Sequence, residues 1–335
     1  MSGSRLPQQL CFSFWPMDNY LLIFCLRRLL LGVTIIVLAV TTLYVLVLSA
    51  PGDPVAMMLG PRSTPEMMDA LNARLGLDQP IIVQIGKFLT GVLTGDLGQD
   101  IKTGRDVFTS IMEQLPYTLY LILAALVIAA GLGIPLGCYS ALHQHSWVDR
   151  LVGILSVSVI AMPSLILAIY GMILFSVHLR WLPAIGVGDR GDLLDQLHHL
   201  ILPALAVGIG WIGYLARLVR SAMLEILAED YILNARAYGL PERWVVYKYA
   251  LRLAVAPTIT VLGIGVGYML GGAVFAEIIF ARPGIGKMMF DAVTQRNYPI
   301  TMGVVLVSTV LMVTTTTLSD IINAVIDPRI RKAQE

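Results

Sequence analysis

The apolar positions of this chain fall in long unbroken blocks. Six of them, near residues 29–49, 117–141, 151–177, 200–221, 257–281 and 301–326, are long and apolar enough to cross a bilayer as helices. A hydrocarbon core of about 30 Å takes about 20 such residues, and a helix satisfies its own backbone groups there. The first block, LLLGVTIIVLAVTTLYVLVLS, follows Arg27 and Arg28 and so resembles a secretory signal. It is too long for one, since signal cores run about 7–15 residues and end at a small-residue cleavage site. It reads as a retained first span.

Two polar segments interrupt this pattern. Residues 50–116 form a long loop in which TPEMMDALNARLGL predicts a short helix behind a Thr-Pro start, and IIVQIGKFLTGVLTGDLG an amphipathic stretch along the membrane face. The second segment, 222–256, mixes charge with helical apolar spacing. Here Asp230 is expected to cap a short helix YILNARAY, Gly239 to end it in the left-handed conformation, and Pro241 to bar its continuation. A second helix is expected from about Pro241 to Leu253. Ala235, Ala237 and Gly239 gather small side chains at the apex of this hairpin, with the long cation Arg236 between them. Such a hairpin suits either a cover over the helix bundle or insertion into a groove of another protein.

Composition agrees with a membrane protein: 57% of residues are hydrophobic, 13% are charged and the mean hydropathy is +0.77. A soluble domain carries about 25% charged residues. Disorder, a coiled coil and a disulfide scaffold are excluded on the same grounds, and Cys11, Cys25 and Cys138 read as apolar fillers rather than redox or metal groups. The net charge of +1 gives no case for nucleic-acid binding. Charge placement does orient the spans. With both termini inside, 13 of the 23 basic residues fall on the cytoplasmic side, including those of 222–256, while the 50–116 loop, with eight acidic and five basic residues, lies outside.

Several patterns imitate known chemistry. Gly208, Gly210 and Gly213 spell GxGxxG inside an apolar block rather than after a strand, which indicates close helix packing. PGIGKMM resembles part of a phosphate loop but has Ala281 and Met288 where that motif needs Gly and Ser or Thr, so no nucleotide site is expected. His143 with His145, and His198 with His199, lack neighbouring Cys or carboxylate clusters and give no metal site. Gly263, Gly267 and Gly271 recur every four residues and predict a close-packing seam. Glu277 and Asp320 are the main carboxylates in the spans, both near span ends. That pattern is poor material for an ion-coupled pump, which is the cross-class alternative. Tyr117, Thr118, Ser156, Ser158, Ser164, Tyr268 and the threonines at 314–317 could face a polar passage, although helical hydroxyls usually bond their own backbone. No substrate-binding residue is assigned.

The residues DYILNARAYGLPERWVVYKYALRLAVAP resemble the loop of permeases of ABC importers in the dipeptide, oligopeptide and nickel branch. PGDP at 51–54, GDLG at 95–98, QLPYTLYL at 114–121, AEIIFARPGIGKMMFDAV at 276–293, RNYP at 296–299 and DPRIR at 327–331 extend the likeness. It implies an all-α, six-span permease of the type I importer kind in a bacterial inner membrane. The expected organisation is a cytoplasmic segment 1–28, a first span 29–49, a periplasmic loop 50–116, a five-helix core 117–326 containing the coupling loop 222–256, and a cytoplasmic tail 327–335. It further implies a second permease, two ATPases and an external solute-binding protein as partners. Asp230, Ala235, Arg236, Ala237, Gly239 and Leu240 would form the loop that contacts an ATPase. ATP and Mg would be used by those ATPases and no cofactor bound by this chain, which would not itself be an enzyme. Short peptides are the expected cargo, with nickel, glutathione or opine-like solutes as alternatives on the same scaffold. Asn234, Pro241, Tyr249 and Asp100 depart from common residues of that family. MDNYLLIFCLRR from Met17 looks more like a family start than Met1 does, an expectation that N-terminal sequencing would test.

Overall fold

A computed structural model describes residues 17–49, 64–69, 79–189 and 191–326. Motifs PGDP and DPRIR, most of the 50–78 stretch and the segment ahead of Met17 lie outside the described residues. Among those described, the regular secondary structure is helical apart from one isolated bridge between Gln99 and Asp106.

Helix α1 spans Met17–Ser49 and α2 Ile81–Thr94. Helix α3 runs Val107–Leu142, α4 Trp147–Ala161 and α5 Ser164–Met172, which continues as a π-helical turn Ile173–His178. Helix α6 is Leu193–Leu227 and α7 Asp230–Ala237. Helix α8 starts at Glu242–Trp244, passes through a π segment Val245–Ala250 and ends at Leu251–Ala254. Helices α9 (Ala256–Ile279), α10 (Ile285–Thr294) and α11 (Tyr298–Ile326) complete the chain.

Five helices, α1, α3, α6, α9 and α11, each satisfy the length and hydropathy of a span. The block expected as a span at 151–177 is formed by α4 and α5, bent by 106°. Pro163 causes the break. It has no N–H to donate, and it holds Met162 extended at φ −86°, ψ 128°. Whether this pair crosses follows from its neighbours. Ala125, Gly133 and Gly137 of α3 lie against Gly208, Ile212 and Ala216 of α6 in that order, so α3 and α6 run parallel and end on the same side. The chain must therefore cross back between them, and α4–α5 is a broken sixth span. Arg220 near the end of α6 confirms it, bonding Asp149 at the start of α4 through Nε and Nη2 at 2.6 and 2.8 Å.

Glycines set the close approaches. A Cβ on Gly208 would lie 2.8 Å from the Ala125 carbonyl oxygen, and one on Gly213 2.8 Å from Ser156 Cα. The GxGxxG string is thus a packing face, and Gly133 and Gly137 form a matching face on α3 that the sequence reading missed. Two of the three glycines named on α9 lie at close approaches. Gly263 abuts Ser319 and Gly267 abuts Met312, both on antiparallel α11, whereas a Cβ on Gly271 would meet nothing within 4 Å. Gly271 instead borders a cavity of about 270 Å³ between α9, α10 and α11.

The amphipathic stretch expected in the long loop is α2, whose Phe88, Leu89 and Val92 pack into a cluster with Val40, Ile111 and Ile300. Only residues 65–69 of the preceding short helix are described, and they are helical. Asp100 ties this end of the bundle together. It accepts from Lys102 N at 3.0 Å, from the Thr103 hydroxyl and from Asn297 Nδ2, just ahead of α11.

Candidate functional site

Between α6 and α9 the chain leaves the bundle as the hairpin α7–α8. Helix α7 starts one residue differently from expectation. Glu229 is its N-cap, with φ −72° and ψ 145°, and makes no side-chain cap hydrogen bond. Asp230 is the first helical residue, where its charge favours the positive end of the helix dipole. The helix closes on Gly239 at φ +76°. Leu240 N donates to Ala235 O at 3.3 Å and Gly239 N to Arg236 O at 2.9 Å, the paired closure that a left-handed residue permits after a helix. Pro241 stands just ahead of α8, whose first helical residue is Glu242.

The six loop residues divide between two faces. Ala235 is buried with Ile232, Val245 and Val246 in a cluster that includes Cys138 and Ala141 of α3 and Val219 and Met223 of α6, and Leu240 packs on its edge. Ala235 and Leu240 therefore anchor the hairpin rather than line its apex. Asp230, Arg236, Ala237 and Gly239 are exposed, and nothing lies within 4 Å of where a Gly239 Cβ would be. Arg236 grips Glu242 with Nε at 3.2 Å and Nη2 at 2.7 Å, fixing α7 to the start of α8. These hydrogen bonds raise the Arg236 pKa and lower that of Glu242. Beyond the small residues, the tip shows Tyr238, 89% exposed, with Leu233 and Tyr247. Sequence reading overlooked these apolar groups. Their signal was present, since an all-polar surface hairpin would not carry them.

The opposite end of the bundle holds a second constellation. Glu277, near the end of α9, is buried and accepts from the Thr118 hydroxyl at 2.6 Å and from Lys287 N at 2.8 Å. Thr118 in turn accepts from Ile285 N at 2.9 Å. The PGIGK string is thus the N-terminus of α10, held by a carboxylate of this same chain. Arg282 beside it is buried, and its Nη1 donates to Gly186 O and His199 O, each at 3.2 Å. Burial lowers the Arg282 pKa, against the opposing charge of Glu277.

Of the hydroxyls considered for a passage, Ser158 and the threonines at 314–316 bond carbonyls one turn back, and Thr118 serves Glu277. Ser164 and Tyr268 border a cavity of about 470 Å³ at the α4–α5 bend. His143 bonds Tyr139 O and His198 faces Trp181 O, at opposite ends of the bundle. Asp320 pairs with Arg28 at 2.7 Å.

Comparison with known proteins places this architecture. Residues 133–332 match the family described as the inner membrane component of binding-protein-dependent transport systems, and residues 21–122 match the N-terminal region of such components. A protein of Brucella suis named as a peptide permease is 37% identical over 314 residues, covering 92% of this chain and 98% of the relative. The dipeptide transport system permease of Alkalihalophilus pseudofirmus is 33% identical, covering 93% and 100%. The glutathione transport system permease of Salmonella typhimurium is 34% identical, covering 92% and 98%. With five unbroken span helices and one bent pair among the described residues, the chain belongs to the inner-membrane permease family of binding-protein-dependent ABC importers.

Proposed function

We propose that this chain is one of two permeases forming the translocation pathway of an ATP-driven importer of short peptides, and that the α7–α8 hairpin seats in a groove of a partner ATPase. The observation that carries this reading is the hairpin itself. Its outer face exposes Tyr238 and Leu233 beside Arg236 and closes on the left-handed Gly239, while its inner face is buried against α3 and α6. A push on the tip therefore reaches two spans directly. On this reading the hairpin, both termini and the tail are cytoplasmic, and the 50–116 loop faces the solute-binding protein. ATP and Mg act on two partner ATPases, and this chain binds no cofactor and catalyses nothing alone.

Short peptides are supported by relatives named for peptide and dipeptide transport, and glutathione by the Salmonella relative. Competition for uptake by unlabelled dipeptide and glutathione separates these cargoes. The docking reading is tested by Gly239→Asp, assayed for insertion and for ATP-dependent uptake. Aspartate adds bulk and charge at an open position while tolerating a left-handed backbone better than most residues. Normal insertion with abolished uptake is expected; unchanged uptake would sink the docking reading.

A further inference from the structure

The cavity at the α4–α5 bend, about 470 Å³, continues into a second of about 690 Å³, and the two share Tyr214. Together they make a groove between α4 and α6, open on the side of the bundle. Its upper part is aromatic. Trp211 lies 5.7 Å from Tyr214 and 6.3 Å from Tyr268 between ring centroids, and Tyr268 is 71% exposed. Its lower part is cationic. Arg220 is engaged by Asp149, but Arg217, exposed in the same groove, has no hydrogen bond or ion pair among the described residues.

Depth decides what such a face can border. Tyr268 is the middle of the span α9, so its neighbour Trp211 lies near mid-membrane. Arg217 follows Trp211 by six residues, about 9 Å along the helix axis. That remains within the half-thickness of about 15 Å of the hydrocarbon core. An unpaired guanidinium facing lipid at that depth is costly, and such groups face water-filled passages or partner charges instead.

We propose that this groove is the chain's half of the substrate path, binding a zwitterionic short peptide with its carboxylate on Arg217 and its ammonium on the aromatic platform of Trp211, Tyr214 and Tyr268. Guanidinium and carboxylate match in charge and in planar donor geometry. Aromatic faces attract ammonium groups. A dipeptide backbone extends at most about 7 Å, which lies between the axial rises to Arg217 from Tyr214, about 4.5 Å, and from Trp211, about 9 Å. The inference rests on the peptide reading above, and its test separates the two.

Membrane vesicles carrying the complete transporter are given ATP and a radiolabelled free-acid dipeptide. Absence of dipeptide uptake by the unaltered protein overturns the peptide reading and this inference with it. Where the unaltered protein transports, Arg217→Ala is expected to lower uptake at least tenfold and Arg217→Lys to retain most of it. Undiminished uptake by Arg217→Ala overturns the groove alone. A second arm replaces Tyr268 with the photocrosslinker p-benzoylphenylalanine, and illumination during turnover is expected to attach labelled dipeptide to this chain. Crosslinking only to the second permease, with no peptide attached, assigns the groove to subunit packing and overturns the proposal, whatever the assembly state of the Arg217 variants.

Discussion

Glu277 shows how much a single buried side chain can organise. Its two oxygens take the Thr118 hydroxyl and the amides that open α10, so α3, α9 and α10 meet at one carboxylate. Glu277→Ala leaves those donors unpaired in a dry site, at about 1–3 kcal/mol for each orphaned group. A large fall in the thermal midpoint of the detergent-solubilised protein is expected. Glu277→Gln should fall less, because its amide oxygen can still accept from the α10 amides. An unchanged midpoint for the alanine variant would show that the α10 terminus is held some other way. The α9 glycines offer a matched comparison. Gly263→Ala drives a methyl into Ser319, whose hydroxyl is already committed to Ile259 O, and should destabilise. Gly271→Ala enters open space and should be neutral or stabilise by up to about 1 kcal/mol. Equal midpoints for the two alanines would refute the idea that the seam has only two closed positions.

Among the elements, those set by local pattern were legible in the sequence and those set by distant partners were not. Span blocks and the Gly239 turn depend on runs of apolar residues and on one residue's backbone freedom, both visible in a string. The bend at Pro163 went unread, and its 106° size depends on how α4 and α5 pack on α6. The burial of Ala235 and the exposure of Ala237, two residues apart on one short helix, follow from which side of α7 meets α3 and α6. Asp100 is the clearest case. In the sequence it is a departure from the family's usual residue, while in the fold it joins the loop ahead of α3 to the segment before α11. Burial pushes its pKa up, but the hydrogen bonds from Thr103, Lys102 and Asn297 outweigh that and the net shift is downward from 3.8. Its contribution is therefore complete above its unfolded value and is lost as pH falls through the still lower folded value. Asp100→Ala should cost about 1–3 kcal/mol near neutral pH, the worth of hydrogen bonds to a charged group. The difference in midpoint from the unaltered protein should close as pH drops below 3.8. A gap independent of pH would mean that the carboxylate charge is not what holds the loop.

For the whole molecule, helix directions make the topology a parity argument. The parallel pair α3 and α6 requires the broken span α4–α5 to cross, giving six crossings among the described residues. Arg28 near the start of α1 bonds Asp320 near the end of α11, and Gly263 near the start of α9 lies against Ser319 near that same end. The beginning of α1, the hairpin and the end of α11 thus share one side, while Lys102 and the Glu277 corner share the other. On the proposed orientation the hairpin side is cytoplasmic, in keeping with Arg236, Arg243, Lys248 and Arg252 gathered on the hairpin. Single cysteines at Tyr238 and Lys102, both exposed, in a chain whose three native cysteines have been replaced, test both statements at once. A membrane-impermeant thiol reagent added to intact spheroplasts should label position 102 and leave 238 unlabelled until the cells are opened. Labelling of both in intact spheroplasts would break the six-crossing parity. Labelling of 238 alone would keep the parity but invert the chain, putting the hairpin beyond reach of any ATPase and ending the proposed coupling.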